Sequence, residues 1–196
     1  MGNRILLDID NTMTTSQVII NRMADMFGKE YITNDDLHSY TLGDAFGLTP
    51  EENQAFWDLL GYEVLESSLP NISLIQNVYK NIIGTDDEIY IMTARPHEYR
   101  FITEKWLATY GVPLTELILV GDNSKVGLIE RYDINIVIDD NPILFEELEV
   151  VKELFPNSNI ARHMKNGTMK RYVVDYPYNR DVVAEFRLNQ QGDIIV

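Results

Sequence analysis

An apolar segment that ends in two carboxylates, at residues 5–10 (ILLDID), is the feature that most limits how this chain can fold. An apolar run of this length, followed by polar turn residues, is typical of a buried β-strand. Side chains two positions apart on a strand point to the same side, so Asp8 and Asp10 are predicted to face one small volume. A hard divalent cation such as Mg²⁺ would offset their repulsion and also neutralise a phosphate group. An isolated pair of this kind can equally cap the turn after a strand.

A second apolar strand is predicted in residues 88–96 (EIYIMTARP) and ends at Thr93. The Thr93 hydroxyl can donate to a phosphate oxygen, and free backbone N–H groups from Ala94 onward can supply further donors. Further along, Lys125 opens a short predicted helix and could contribute a positive charge to the same phosphate. Each signal has a plainer interpretation, because this segment also suits a strand-to-helix turn and a single lysine is usually solvated.

A third strand is predicted in residues 134–142 (INIVIDDNP) and ends in two adjacent carboxylates. Because neighbouring residues on a strand point to opposite faces, we expect Asp139 to bind the metal directly and Asp140 to support it as an outer partner. Ligands of parallel sheets bind beyond the carboxyl ends of the strands. The sequence therefore predicts one site that gathers the residues at the ends of these three strands.

The spacing of the segments predicts an α/β fold of three layers, a Rossmann-like parallel sheet with helices on both faces. Strands near residues 89–93, 117–121 and 134–139 alternate with helices near 97–110, 124–132 and 142–155. From about residue 157 the pattern becomes short and strand-like. Hairpin turns are predicted there at residues 165–168 (KNGT) and 190–192 (QQG).

Residues 13–70 interrupt the alternating pattern and are predicted to be helices joined by polar turns. We predict that they form a small helical cap inserted after the first strand, while residues 1–12 and 71–196 form the α/β core. The aromatic side chains Phe27 and Trp57 of this insertion could stack on a nucleobase, or they could fill the core of the cap itself.

Composition narrows the classes of function. The 196 residues, 45% of them hydrophobic, suffice for one ordinary domain or a core with an insertion. The absence of cysteine excludes disulfides and thiolate chemistry, and three scattered histidines lack zinc-ligand spacing. A net charge of −15 disfavours nucleic acid and anionic membranes as partners, and we expect a cytoplasmic protein without a membrane span. A small phosphate ester fits better, because Mg²⁺, Lys125 and an outer Arg95 would create a local positive region.

The four motifs, in their order along the chain, resemble those of the haloacid dehalogenase superfamily of phosphohydrolases. The order is D-x-D-x-T at residues 8–12, a strand-terminal threonine at 93, a lysine at 125 and D-D at 139–140. The resemblance covers residues 3–155 and implies a Mg²⁺-dependent phosphatase that forms an aspartyl-phosphate. It differs at Asn11, where the family usually has glycine, although asparagine also tolerates a left-handed backbone.

The resemblance also implies a role for each matching position. Asp8 corresponds to the nucleophile and Asp10 to the general acid and base, and both would also contact the metal. Thr93 and Lys125, together with the backbone at Ala94, would bind the phosphate. Asp139 would be the remaining acidic metal ligand. A helical insertion at this point of the family fold is a cap that covers the site and selects the substrate.

Finer features resemble the 5′-nucleotidase and 5′(3′)-deoxyribonucleotidase branch of this superfamily. They are the TARP segment at 93–96, the TEKWL segment at 103–107 and the DYPYN segment at 175–179. A polynucleotide 3′-phosphatase or a small-metabolite phosphatase is the alternative, and the acidic balance counts against a polynucleotide substrate. A non-catalytic protein that binds Mg²⁺ and a ligand or partner is the alternative from another class. The sequence carries no signal for the preferred base, the sugar or the oligomeric state.

Overall fold

A computed structural model of the protein describes residues 2–121 and 123–195. Within them, six strands form one parallel sheet in the order β3-β2-β1-β4-β5-β6. The strands are β1 (Arg4–Leu7), β2 (Glu88–Thr93), β3 (Glu116–Leu119), β4 (Ile136–Asp139), β5 (Lys170–Val174) and β6 (Phe186–Leu188). The predicted α/β fold with a parallel sheet is confirmed.

Helices cover both faces of the sheet and so complete the three layers. They are α1 (Gln17–Phe27), α2 (Leu42–Ala45), α3 (Pro50–Glu66), α4 (Ile72–Asn81), α5 (Arg100–Thr109), α6 (Val126–Arg131), α7 (Pro142–Leu154) and α8 (Asn159–Lys165). Helices α4 and α5 pack on one face of the sheet, and α6, α7 and α8 pack on the other. No helix of the described residues combines the length and the apolar character needed to cross a membrane.

Strand β1 lies in the middle of the sheet, and its position explains its continuous apolar sequence. Ile5 and Leu7 face one buried cluster and Leu6 faces the other, so both sides of the strand require apolar side chains. Its neighbours are β2 and β4, both parallel to it. The backbone N–H of Asp8 still donates to the Ile138 carbonyl at 3.0 Å, so the pairing with β4 extends past the end of β1. The carboxyl ends of these three strands therefore meet at one edge.

The chain after residue 157 differs from the prediction. A helix, α8, leads into β5, which pairs in parallel with β4, so the predicted hairpin at residues 165–168 is wrong. Ser158 caps the start of α8 by accepting from the Ala161 N–H, and Gly167 takes a left-handed φ of 68° just after the helix ends. The turn predicted at 190–192 is confirmed, because an antiparallel bridge joins Leu188 to Ile194 around it.

The helical insertion leaves and rejoins the core at neighbouring points. Thr14 and Pro70 form an antiparallel bridge, and the Asn71 N–H donates to the Met13 carbonyl at 2.7 Å. Apolar residues of α1 and α3 form a buried cluster of their own, to which Tyr99 and Ile102 of the core are added. These contacts support the proposal that residues 13–70 form a cap.

Candidate active site

Three buried carboxylates meet where β1 and β4 end. Asp8, Asp139 and Asp140 each offer an oxygen that lies within 4.8 Å of those of the other two. Lys125 reaches this carboxylate cluster from the start of α6. Its Nζ lies 2.6 Å from Asp8 Oδ1 and 2.7 Å from Asp139 Oδ2, and only 5% of the residue is exposed. The structure thus brings the lysine and three of the predicted acidic residues into one buried group.

The charges of this group do not balance, because one lysine faces three carboxylates. Burial raises the pKa of Asp8 well above its ordinary value, and the neighbouring carboxylates of Asp139 and Asp140 add to the rise although Lys125 opposes it. Burial and Asp139 likewise raise the pKa of Asp140 to about 7. Burial alone would lower the pKa of Lys125, but Asp139 and Asp8 outweigh it and raise that pKa. A divalent cation with a preference for oxygen ligands fits this excess of negative charge.

The two adjacent carboxylates have different partners. Asp139 uses both oxygens, since Oδ2 accepts from Lys125 and Oδ1 accepts from the Asn141 N–H at 2.9 Å. Asp140 Oδ2 accepts from the Tyr178 hydroxyl at 2.5 Å. From strand alternation we predicted Asp139 as the direct ligand and Asp140 as an outer or bridging partner, but β4 ends at Asp139 and alternation no longer holds one residue later. Asp140 is therefore a member of the cluster.

Asp10 lies beside the cluster but is not part of it among the described residues. Its carboxylate pairs with the Arg95 guanidinium, at 2.7 Å from Nη2 to Oδ1 and 2.8 Å from Nε to Oδ2. The prediction that Asp8 and Asp10 face the same volume assumed a continuing strand, whereas β1 ends at Leu7. Asn11 then takes a left-handed φ of 59°, a conformation that the sequence analysis allowed for, and turns the chain.

The residues predicted to bind phosphate lie at the end of β2, the other neighbour of β1. Thr93 is fully buried, and its Oγ1 lies 3.4 Å from Asp10 Oδ2 while accepting from the Arg95 N–H at 3.2 Å. Ala94 is exposed between two buried residues. The end of β2 therefore adjoins the side chain of Asp10, and Ala94 is accessible there.

Two tyrosines that we did not assign to the site from the sequence lie beside it. Tyr178 donates to Asp140 and accepts from Asn11 Nδ2 at 3.3 Å. The ring of Tyr40, from the insertion, meets the Tyr178 ring edge-on with centroids 5.7 Å apart. Burial raises the pKa of Tyr40, and so do nearby carboxylates, Asp140 foremost. The DYPYN motif was a signal for Tyr178, whereas the chain around Tyr40 carried none.

Phe27 and Trp57, the predicted stacking residues, are partly buried against the apolar cluster of the insertion. Trp57 meets Phe56 edge-on with centroids 5.4 Å apart. Neither has a contact with the carboxylate cluster among the described hydrogen bonds and aromatic pairs. Tyr40 is the residue of the insertion whose ring packs on a partner of the cluster.

The raised pKa of Asp140 predicts that Mg²⁺ stabilises the protein more at pH 8 than at pH 5.5. Without metal, the folded protein holds a proton up to about pH 7 that the unfolded chain releases near pH 4, so its stability falls as the pH rises between these values. At pH 5.5 Mg²⁺ must displace that proton in order to bind, whereas at pH 8 the proton has already been released. At 100 times its Kd, Mg²⁺ would add about 2.7 kcal/mol to the unfolding free energy.

Thermal melts with and without MgCl2 at the two pH values measure this effect. Asp140→Asn should remove most of the response to Mg²⁺, whereas Asp181→Asn, which changes an exposed aspartate, should leave it intact. An equal rise of Tm at both pH values would show that Asp140 does not give up a proton when Mg²⁺ binds.

Comparison with known proteins identifies the family. No family model matches the chain. A Bacillus cereus protein named "Putative nucleotidase" is 30% identical over 147 residues, which cover 72% of this chain and 78% of that protein. A Clostridium acetobutylicum protein named as a nucleotidase is 24% identical over 182 residues, 91% of this chain and 90% of that protein.

Solved structures share the fold at low sequence identity. A haloacid dehalogenase-like protein of Agrobacterium tumefaciens superposes with a TM-score of 0.59 at 12% identity, covering 98% of this chain and 96% of that one. A haloacid dehalogenase-superfamily hydrolase of Geobacter sulfurreducens gives 0.52 at 12% identity, covering 97% and 93%. The chain belongs to the same family as the Bacillus cereus relative, and it has the fold of haloacid dehalogenase-superfamily hydrolases, the fold that its motif order predicts.

Proposed function

We propose that this protein is a Mg²⁺-dependent 5′-nucleotidase that hydrolyses nucleoside or deoxynucleoside monophosphates through an aspartyl-phosphate. The observation that carries the proposal is the buried group of Asp8, Lys125, Asp139 and Asp140, which lies next to a second, more exposed carboxylate, Asp10. A nucleophile and a separate proton carrier are what transfer of a phosphoryl group to a side chain requires. The names of the two curated relatives support the choice of a nucleotide as substrate.

In this proposal Asp8 and Asp140 hold the metal through their carboxylates, and Asp139 holds Lys125. Both Asp139 oxygens already have partners, whereas the hydrogen bond described for Asp140 Oδ1 is a long one, 3.4 Å from Thr12 Oγ1. This differs from the sequence-based assignment, in which Asp139 was the direct ligand and Asp10 a further one. When bound, Mg²⁺ offsets the charge of the cluster and stabilises negative charge on the phosphoryl group.

The first chemical step transfers the phosphoryl group to Asp8. Lys125 holds the Asp8 carboxylate, one oxygen of which attacks phosphorus, and a new P–O bond forms as the bond to the ester oxygen breaks. Asp10 gives its proton to that leaving oxygen. Thr93, Lys125 and the backbone at Ala94 bind the phosphoryl oxygens and stabilise their charge in the transition state.

The second step restores the enzyme. Asp10, now ionised, takes a proton from a water molecule as its oxygen attacks phosphorus of the aspartyl-phosphate. The bond between phosphorus and Asp8 breaks, inorganic phosphate leaves and the Asp8 carboxylate is regenerated. Asp10 then carries again the proton that it gave up in the first step.

A screen of Mg²⁺-dependent phosphate release tests the function. It compares nucleoside and deoxynucleoside monophosphates, sugar phosphates and a 3′-phosphorylated oligonucleotide. We expect a nucleoside monophosphate to have the highest kcat/KM. If a sugar phosphate or the oligonucleotide were the best substrate, the assignment as a phosphatase would stand and the assignment as a nucleotidase would be wrong. No release from any ester would favour the non-catalytic alternative.

Tyr40 is the proposed contact for the nucleobase, because it is the insertion's aromatic ring next to the site. Stacking of a base on an aromatic ring is worth about 1–3 kcal/mol, so Tyr40→Ala should lower kcat/KM for the best nucleotide by roughly 10-fold or more. Phenyl phosphate, which lacks a base, should lose much less. Steady-state kinetics of both substrates measure the difference.

The same assay with Phe27→Ala and Trp57→Ala compares Tyr40 with the residues that the sequence suggested. Tyr40→Phe keeps the ring and should keep nucleotide turnover. If Trp57→Ala gave the selective loss and Tyr40→Ala did not, the base would lie elsewhere under the insertion.

A further inference from the structure

Arg95 is a buried cation whose charge is directed at a single carboxylate. The residue is 3% exposed, and its guanidinium makes a two-pronged contact with Asp10 through Nε and Nη2. Asp10 is its ion-pair partner among the described residues. Burying an arginine costs free energy, and apolar residues of similar size often stabilise a fold at least as much as a buried ion pair does. The contact with Asp10 therefore calls for a functional explanation.

Arg95 is itself held from two sides. Its backbone N–H donates to Thr93 Oγ1, and its Nη1 donates to Thr103 Oγ1 at 3.2 Å. Thr103 lies in α5 and donates its own hydroxyl proton to the Tyr99 carbonyl at 2.9 Å, so it presents a lone pair to Arg95. These contacts tie the guanidinium to the end of β2 and to α5.

Asp10, by contrast, has little else to orient it. It lies three residues past the end of β1, just before the left-handed Asn11, and a third of its side chain is exposed. Apart from Arg95, its described side-chain contact is the 3.4 Å approach of Thr93 Oγ1. The rotamer of Asp10 therefore depends on the guanidinium.

We propose that Arg95 is a positioning residue, which holds the Asp10 carboxylate in place for its two proton transfers. The inference rests on the proposed function, because it assumes that Asp10 protonates the leaving oxygen and then deprotonates water. Arginine suits this role, since its planar fork matches both carboxylate oxygens and it never releases a proton itself. Each carboxylate oxygen keeps a second lone pair, which leaves room for the transferred proton.

The role predicts an uneven loss across the two chemical steps in Arg95→Ala. General acid catalysis contributes about 10²–10⁴-fold, so turnover of an alkyl phosphate such as a nucleoside monophosphate should fall by at least about 10²-fold. Formation of the aspartyl-phosphate from 4-nitrophenyl phosphate should fall far less, because nitrophenolate leaves without a proton. Hydrolysis of the intermediate still needs the base. Rapid mixing should therefore show a burst of about one nitrophenolate per enzyme, followed by slow turnover.

Two further variants separate positioning from structural support. Arg95→Lys keeps the charge but not the fork, so it should stay impaired and should show the same burst. Thr103→Val removes the contact to Nη1 while leaving Asp10 untouched, so it should retain most of the activity. Millimolar guanidinium should restore part of the turnover of Arg95→Ala by entering the vacated space.

The outcomes are distinct. A loss that is equal for alkyl and aryl substrates, without a burst and without rescue by guanidinium, would make Arg95 a structural residue only. A faster Arg95→Ala enzyme would show instead that the guanidinium restrains Asp10. If Arg95→Ala fails to fold, Arg95→Lys decides the matter by the same burst measurement.

The experiment also separates this inference from the proposed function. A wild-type enzyme that prefers another alkyl phosphate would end the nucleotidase proposal, and the comparison of alkyl with aryl substrates would still test Arg95. A wild-type protein that hydrolyses neither kind of ester would overturn both.

Discussion

Replacing Asp8 with asparagine is expected to abolish phosphate release, by about 10⁴-fold or more, while the protein stays folded. A neutral carboxamide cannot attack phosphorus, so no phosphorylated enzyme should form. In the absence of metal at pH 8, the Asp8→Asn variant should be more stable than the wild type. The raised pKa of Asp8 means that its ionised form is disfavoured by burial and by the neighbouring carboxylates, and the amide removes that charge.

Three measurements test this expectation: the rate of phosphate release, trapping of labelled phosphate on the enzyme, and Tm at pH 8 in the presence of a chelator. Asp86→Asn is the matched control, because it makes the same change at an exposed position. Near-normal turnover in pure Asp8→Asn, or labelling equal to that of the wild type, would remove Asp8 from the role of nucleophile.

Lys125→Met should cost about 10²-fold in turnover, the scale seen when one preorganised charge partner of a transition state is removed. It should also destabilise the metal-free protein, because Asp8 and Asp139 lose the cation that each contacts at 2.6–2.7 Å. Breaking a buried ion pair on one side costs about 3–5 kcal/mol. Without the lysine the site is more negative and should attract Mg²⁺ more strongly, so added Mg²⁺ should restore much of this stability. It should not restore the turnover rate.

Chemical denaturation with and without MgCl2, together with kinetics under saturating Mg²⁺, separates the two effects. Lys165→Met, at an exposed position, serves as the control. Recovery of full turnover by Mg²⁺ alone would reduce Lys125 to a stabilising residue without a part in catalysis.

The fold was predictable where burial leaves only one choice. The central strands β1 and β4 are apolar on both faces, and such runs between helical segments are typical of the middle of a parallel sheet. Residues 165–168 lacked this constraint. A glycine after polar residues suits a hairpin and a helix end alike, and it is the packing of Ile160 in the core under α8 that decides for the helix.

The candidate site was predictable as a set of residues but not in the partners of each. Which strand ends carry acidic, hydroxyl and basic groups can be deduced from the chain. The directions of the Asp10 and Asp140 side chains cannot be deduced in this way. Both residues lie beyond the last residue of a strand, where the alternation of side chains between the two faces ends. The contact between Tyr40 and Tyr178 joins distant segments through tertiary packing, which no local pattern encodes.

The two ends of the insertion lie next to each other, because Thr14 and Pro70 form a β-bridge, and this has a consequence for protein engineering. Because the chain leaves and returns at hydrogen-bonded positions, a short turn could close the core in place of the whole helical segment. Such a deletion would expose Tyr99 and Ile102, which pack against the insertion, so polar replacements there would be needed to keep the shortened protein soluble. Other helical segments could then be grafted at the same two positions, provided that they replace the packing of Tyr40 on Tyr178, the hydrogen-bond partner of Asp140.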